Sequence, residues 1–242
     1  MTTRRLLLTA LLALATTAHA QQVLTVATDA TFPPMEYVDN GKRTGFDIEL
    51  VEAVAATMGK KVEWTDIDFK GLIPGLISKR FDMAVSAIYI TDERKKVVDM
   101  TDPYFAGGLV AMVKDGNTAI KTAADLNGKK ISVQVGTKSV SYLKEKYPQV
   151  QLIEVEKNQE MFALVDIGRA DALVTGKPAA FQYARTRPGL KVMDQQLTTE
   201  EYGMALRKDT PELTKAVNEA LAKMKADGSY AKIVAKWFPA GK

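Results

Sequence analysis

Residues 81–96 read FDMAVSAIYITDERKK and carry the strongest structural signal in the chain. The apolar run FDMAVSAI is typical of a buried strand, and Thr91, Asp92 and Glu93 are typical of a helix start. Arg94 follows in the first helical turn, where the helix macrodipole favours acidic residues. Two interpretations are open: Arg94 pairs locally with Asp92 or Glu93, or it binds an anion.

Strand-like and helix-like segments alternate on both sides of this stretch. Residues 23–29 alternate as a strand does, and residues 46–58 carry apolar side chains at helical spacing before Gly59. Because the strands are apolar runs, we expect parallel sheets covered by helices. The same alternation repeats after residue 109, so the sequence predicts an α/β protein with two lobes of about 90 residues each.

No flexible linker separates the two halves, and the joins near residues 105–111 and 197–203 are strand-like. Two joins imply that the chain leaves the first lobe, builds the second and returns. We therefore expect lobe 1 at 21–107, lobe 2 at 108–200, and a return to lobe 1 at 201–242. Ligands of open α/β sheets lie at the carboxyl ends of strands, so the predicted site is a cleft that closes at a hinge.

The N-terminus predicts export. MTTRR is a basic segment, LLLTALLALATTA is an apolar segment, and AHA matches a cleavage site, so residues 1–20 are expected to be a signal peptide for the periplasm. Its removal takes Arg4 and Arg5 from the 33 basic residues and leaves 31 against 29 acidic ones. This near balance, with no basic stripe, argues against nucleic acid as a partner.

Composition excludes several kinds of chemistry. The chain has no cysteine, and its one histidine, His19, lies in the predicted signal peptide. Thiol catalysis, iron–sulfur clusters and histidine-based triads are therefore excluded from the exported protein. We predict no metal and no cofactor.

Several segments, in order along the chain, resemble the polar amino-acid periplasmic solute-binding proteins of ABC importers (family 3). They are VATDATFPPMEY, GFDIEL, DFKGLIPGL, FDMAVSAIYITDERKK, DPYFAGGLVAMVK, GTKSVSY, GRADALVTGKP and KWF. The resemblance is greatest to the glutamine-binding proteins. It implies a periplasmic-binding-protein-like type II fold with a two-strand hinge and a ligand cleft between the lobes. It also implies a monomer that delivers a small carboxylate ligand to a membrane permease.

The resemblance further implies roles for single residues. Arg94 would pair with the α-carboxylate of the ligand, as a planar fork of donors allows, and amides of the loop at Thr137 would help. Asp29 would contact the ligand side chain. Phe32 and Phe69 would enclose its aliphatic part.

Three further positions concern specificity. Ala87 matches a position that contributes its backbone carbonyl. Tyr89 stands where relatives carry Ser or Thr, so it either narrows the pocket or makes the polar contact through its phenol. Lys138 stands where relatives have a small residue or Thr, and it is either a second cation at the carboxylate or a solvated lysine of the loop.

Gly176 is the largest departure from the family pattern. Relatives carry an aspartate there that binds the ligand's α-ammonium, and a buried ammonium without a carboxylate costs several kcal/mol. Four explanations are open. Asp29 or Glu201 binds the α-ammonium in place of the aspartate, or backbone carbonyls and water bind it. Alternatively, the ligand has no α-ammonium, or Gly176 is required by a turn with positive φ.

Three functions follow from these observations. The leading prediction is a non-enzymatic binding subunit for a glutamine-like amino acid or a derived carboxylate. The alternatives are a binder of an organic acid without an α-ammonium, and a periplasmic enzyme resembling cyclohexadienyl dehydratase. A receptor sensor domain is disfavoured because the chain ends shortly after KWF.

Overall fold

The computed structural model describes residues 22–239. The predicted signal peptide, residues 1–20, lies outside this range. Within the described residues, no helix has both the length and the apolar character that crossing a membrane requires.

The first sheet has five strands and takes them from both ends of the chain. β1 (Val23–Thr28) lies between β5 (Lys61–Asp66) and β6 (Met83–Ala84) and runs parallel to both. β15 (Ala205–Leu206) follows β6 in antiparallel sense, and β7 (Asp99–Met100) forms the edge. The helices of this lobe are α1 (Phe46–Thr57), α2 (Leu72–Ile77), α3 (Asp92–Val97), α7 (Pro211–Ala226) and α8 (Ser229–Trp237).

The second sheet also has five strands. β10 (Lys130–Gln134) lies between β11 (Gln151–Val155) and β12 (Ala172–Gly176), parallel to both. β9 (Leu109–Lys114) pairs antiparallel with β12 and with β13 (Leu190–Gln196). The helices of this lobe are α4 (Lys138–Lys146), α5 (Asn158–Asp166) and α6 (Lys177–Thr186).

Two smaller sheets complete the fold. β2 (Thr31–Phe32), β3 (Glu36–Asp39) and β4 (Lys42–Thr44) form an antiparallel sheet beside the first lobe. β8 (Phe105–Ala106) pairs antiparallel with β14 (Glu201–Tyr202), and this ribbon joins the two lobes. Our division of the chain after residues 107 and 200 stays a prediction.

The prediction of wholly parallel sheets is wrong at the strands that connect the lobes. β9 and β15 each follow a strand of the joining ribbon, so they start at the cleft and run away from it. The parallel strands instead reach the cleft with their carboxyl ends, and Gly176 at the end of β12 pairs with Leu109 at the start of β9. Both lobes therefore present strand ends to one gap, which is where ligands of such sheets bind.

Candidate functional site

A small cavity, with about 30 Å³ of free volume, lies between the two lobes, at the carboxyl ends of β6, β10 and β12. The residues that line it and that were singled out from the sequence are Phe32, Phe69, Ala87, Tyr89, Thr137, Lys138 and Gly176. The two remaining candidates, Asp29 and Arg94, form hydrogen bonds to residues of this wall. The structure therefore brings all nine candidates together around one cavity.

Arg94 is held in place by backbone groups and an aromatic ring. Thr91 caps α3, and its hydroxyl accepts a hydrogen bond from the Arg94 amide. The guanidinium donates to the Tyr89 carbonyl at 2.8 Å and to the Gly136 carbonyl at 3.4 Å, and it lies 5.6 Å from the Phe69 ring centroid. Burial lowers the Arg94 pKa to about 10, so the side chain remains a cation at neutral pH.

The Arg94 guanidinium forms no ion pair with any Asp or Glu among residues 22–239. The interpretation that Asp92 or Glu93 pairs with it locally is therefore wrong. A half-buried guanidinium that contacts only carbonyls and a ring retains donors and charge for an anion.

Lys138 starts α4 and lines the cavity close to a carboxylate. Its Nζ lies 3.9 Å from Glu200 Oε1, and only 19% of its side chain is exposed. The interpretation of Lys138 as a solvated lysine of the loop is therefore wrong. Beside it, Thr137 donates its hydroxyl to the Gln134 carbonyl at 2.7 Å, which fixes the loop that enters α4.

Asp29 follows β1 and is 2% exposed. Its Oδ2 accepts from the Phe69 amide at 3.2 Å and from Gln134 Nε2 at 2.7 Å, while Lys157 Nζ lies 3.3 Å from Oδ1. Burial raises the Asp29 pKa, and the charge of Lys157 opposes that rise. Because Gln134 and Lys157 belong to the second lobe, Asp29 bridges the cleft.

Three polar residues at the cleft were not among the nine candidates. Gln134 ends β10, Lys157 follows β11, and Asn158 starts α5, where its Nδ2 donates to Thr31 Oγ1 at 3.1 Å across the lobes. Lys157 also forms an ion pair with Asp68 at 2.6 Å. Their positions at or just after the ends of parallel strands are the signal in the sequence, because the carboxyl ends of such strands meet at one edge.

Tyr89 and Tyr202 form a buried pair at one wall of the cavity. Their ring centroids are 4.6 Å apart and their hydroxyl oxygens 3.2 Å apart. The Tyr89 hydroxyl donates to the Gly108 carbonyl at 2.9 Å. Burial raises the pKa of both phenols, so both are neutral. Tyr89 thus narrows the pocket, and its hydroxyl is bonded to protein.

Gly176 is a glycine because there is no room for a side chain. A Cβ at this position would lie 2.3 Å from the Tyr202 hydroxyl, 3.2 Å from Phe32 Cζ and 3.3 Å from the Tyr89 hydroxyl. Its φ of −67° is ordinary, so the explanation by a turn with positive φ is wrong. Glu201 does not stand in for the missing aspartate either, since it is exposed in the joining ribbon.

Ala87 is held in the left-handed region, with φ of 45°, by buried carboxyl groups beneath the cavity. Its amide donates to Asp47 Oδ2 at 2.8 Å, as does the Tyr104 hydroxyl at 2.8 Å. Glu36 accepts from Ser86 at 2.7 Å. Glu36 Oε2 and Asp47 Oδ1 are buried and have no hydrogen-bond partner among the described residues. Burial raises the pKa of Glu36 well above normal and that of Asp47 to about 6.

Curated relatives of this chain are binding proteins of transporters. The L-cystine-binding protein TcyJ of Escherichia coli (strain K12) is 36% identical over 220 residues, which are 90% of this chain and 83% of the relative. ABC transporter arginine-binding protein 1 of the same strain is 35% identical over an alignment of 243 positions, which covers 98% of this chain and 99% of the relative.

Solved structures that are similar to this chain are also amino-acid-binding proteins. An ancestral arginine-binding protein, solved bound to arginine and bound to glutamine, has a TM-score of 0.86 and 43% identity, with 91% of this chain covered and 100% or 99% of the other. The ancestral amino acid-binding protein described as a precursor of cyclohexadienyl dehydratase has a TM-score of 0.84 and 43% identity, covering 89% of this chain and 95% of that one.

The family model of the bacterial extracellular solute-binding proteins, family 3, matches residues 24–240. This match spans both sheets, the joining ribbon and every candidate residue of the cavity. It confirms the resemblance and the two-lobed type II fold that the sequence segments implied. The chain belongs to the bacterial extracellular solute-binding proteins, family 3.

Proposed function

We propose that this protein is the periplasmic binding subunit of an ABC importer and captures a small polar amino acid, or a carboxylate derived from one, by closure of its two lobes. The observation that carries this proposal is the Arg94 guanidinium, which donates to the carbonyls of Tyr89 and Gly136 beside the interlobe cavity and has no acidic partner among the described residues. A carboxylate is the ligand that this planar fork of donors matches. Arg94 and the loop at Thr137 would hold it from opposite lobes.

The polar end of the cleft favours a neutral ligand side chain. Gln134 and Asn158 line the cavity, and the charge of Asp29 is already matched by Lys157. A cationic side chain would have to displace Lys157 to reach Asp29. A glutamine-like amide, which both donates and accepts, needs no such displacement. Phe32 and Phe69 would enclose the aliphatic part of the ligand.

Delivery of the ligand to the importer would depend on closure of the two lobes. The ligand contacts both lobes only when they are closed, so binding shifts the population toward the closed form, and a membrane permease would recognise that form. The exported, monomeric state expected from the sequence suits this role. Arginine-binding and cystine-binding relatives support the importer assignment by likeness.

An enzyme resembling cyclohexadienyl dehydratase is the second candidate. Gly176, which departs from the aspartate of amino-acid binders, and the likeness to a dehydratase precursor favour it. Dehydration needs an acid that protonates the leaving group. Among the described residues that line the cavity there is no Asp, Glu or His, which supports binding instead. Incubation with prephenate separates the two, since formation of phenylpyruvate absorbance would favour the enzyme.

Arg94→Ala tests the proposed function directly. The probes are L-glutamine, L-arginine and L-histidine, each with its 2-hydroxy counterpart, titrated calorimetrically into refolded, ligand-stripped protein. We expect Arg94→Ala to lower the affinity for the best ligand by roughly 10–150-fold, because a hydrogen bond to a charged group contributes about 1.5–3 kcal/mol. The affinity of Arg94→Lys should lie between those of the wild type and Arg94→Ala, since lysine keeps the positive charge but lacks the planar set of donors.

The matched control is Arg169→Ala, because Arg169 is exposed and lies outside the cavity. It should bind as the wild type does. Wild-type affinity in Arg94→Ala would remove Arg94 from the site, and the absence of binding by every probe in the wild type would overturn the proposed function.

A further inference from the structure

We infer that the Tyr89–Tyr202 hydroxyl pair replaces the carboxylate of the ammonium subsite, so that the cavity selects a carboxylate ligand whose α-substituent is uncharged and forms hydrogen bonds, such as an α-hydroxyl. This inference rests on the proposed function and specifies its ligand class. It concerns the ligand atom that faces Gly176.

The first step is steric. Tyr202 is fully buried, and its hydroxyl occupies the place of any Cβ at position 176, with a separation of 2.3 Å. Tyr89 is packed against the same ring and also contacts Gly107, where a Cβ would lie 2.6 Å from Tyr89 Cε1. The absence of side chains at Gly107 and Gly176 therefore makes room for Tyr89 and Tyr202, and with these tyrosines in place no space is left at position 176 for an acidic side chain.

The second step is the hydrogen count. The pair has two protons, and Tyr89 donates one to the Gly108 carbonyl. The Tyr202 hydroxyl contacts only the Tyr89 oxygen among the described groups, at 3.2 Å. Tyr202 can therefore donate to Tyr89 and accept from the ligand, or donate to the ligand directly. A hydroxyl suits both arrangements, because it is both donor and acceptor.

The third step is the charge count around the cavity. Lys138 is near Glu200, Lys157 pairs with Asp29 and Asp68, and Lys70 pairs with Glu156. Arg94 is the cation of this region that has no acidic partner within residues 22–239. One unmatched positive charge suits a ligand of net charge −1. An amino-acid zwitterion would add a second buried cation without a carboxylate.

The acids beneath the cavity do not supply that carboxylate. Asp47 is committed to the Ala87 amide and the Tyr104 hydroxyl, and Glu36 accepts from Ser86. Both lie behind the backbone at Ser86 and Ala87. They are therefore separated from a ligand by peptide groups that face the cavity.

A paired panel tests the inference on the wild-type protein. L-glutamine, L-arginine and L-histidine are each compared with the (S)-2-hydroxy counterpart and with the unsubstituted acid, by calorimetry at neutral pH on refolded, ligand-stripped protein. The expected result is that, for the side chain that binds best, the 2-hydroxy acid binds at least about tenfold more tightly than the amino acid. The affinity for the unsubstituted acid should lie between the affinities for these two compounds.

Equal or tighter binding of the amino acid would overturn the inference and leave the proposed function standing. No binding by any probe would overturn both. Tyr202→Phe adds an independent readout, because it removes only the hydroxyl. In that variant the advantage of the 2-hydroxy acid over the unsubstituted acid should fall toward onefold, and an unchanged advantage would remove Tyr202 from the subsite. A melting curve confirms that the variant is folded.

Discussion

At the scale of single residues, Gly176 is a glycine because of Tyr202, a residue that lies far from it in the sequence. Nothing in the flanking sequence requires glycine, since its φ is −67°. The requirement comes from Tyr202, which is held between the rings of Tyr89 and Tyr104, at centroid distances of 4.6 and 6.4 Å. A ring packed in this way cannot move aside for a methyl group.

Gly176→Ala should therefore destabilise the protein by about 1–3 kcal/mol, the usual cost of overpacking. Tyr202→Phe should rescue it, because the closest remaining atom would be Phe32 Cζ at 3.2 Å from the new Cβ. Urea unfolding of both single variants and the double variant measures the coupling. Gly71→Ala is the control, with its nearest atom at an ordinary 3.5 Å. Additive effects in the double variant would show that Tyr202 is not the cause.

At the scale of elements, two buried carboxyl groups join segments that are far apart in the chain. Glu36 lies on β3 and Asp47 on α1, and their partners Ser86 and Ala87 follow β6. A non-glycine residue at positive φ costs about 1–2 kcal/mol, so the hydrogen bond from the Ala87 amide to Asp47 has to offset that strain. The cluster thus shapes the strand end that forms the cavity floor.

This cluster predicts a loss of stability as the pH rises. The pKa values of Glu36 and Asp47 are both raised in the folded state, by burial, with Asp47 at about 6. The folded protein therefore keeps protons that the unfolded chain has released, and the unfolding free energy should fall as the pH rises from about 4 through about 6, where Asp47 loses its proton, and further until Glu36 loses its own. Glu36→Gln keeps a donor for Asp47 and removes one titrating group, so its decline should be shallower.

The measurement is the melting temperature of each protein across that pH range. Glu63→Gln is the matched control, because Glu63 is exposed on β5. It should follow the wild-type curve. A Glu36→Gln curve parallel to the wild type would exclude Glu36 as the titrating group.

At the scale of the whole molecule, the two lobes are held together by polar contacts at the cleft. Lys157 binds Asp29 and Asp68 across the lobes, Lys70 binds Glu156, and Gln134 donates to Asp29. The pairs of Lys157 with Asp68 and of Lys70 with Glu156 are partly exposed, so each contributes modestly and weakens with salt, whereas the Gln134–Asp29 hydrogen bond is buried. Together they favour closure.

Lys157→Ala should shift the ligand-free protein toward an open form and weaken ligand binding by about threefold to tenfold, since two ion pairs across the cleft are lost. Small-angle X-ray scattering should show a larger radius of gyration without ligand and the wild-type value with it. Lys144→Ala is the control, because Lys144 pairs with Glu154 inside the second lobe. An unchanged radius in Lys157→Ala would mean that this residue does not hold the lobes closed.

The sequence by itself determined the two α/β halves and the family, because apolar spacing, helix caps and motif order are local properties of the chain. It also predicted nine positions that the structure brings to one cavity. Strand direction at β9 and β15 was not predictable in this way, since it depends on which end of a strand faces the joining ribbon.

Only the tertiary structure decided what surrounds each of these positions. Tyr89 meets Tyr202 from 113 residues away, and Lys157 meets Asp29 from 128 residues away. No local pattern encodes such pairings, because they depend on how two separately folded sheets approach each other. The space at Gly176, the lack of an acidic partner for Arg94 among the described residues and the matched charge of Asp29 all arise at that approach.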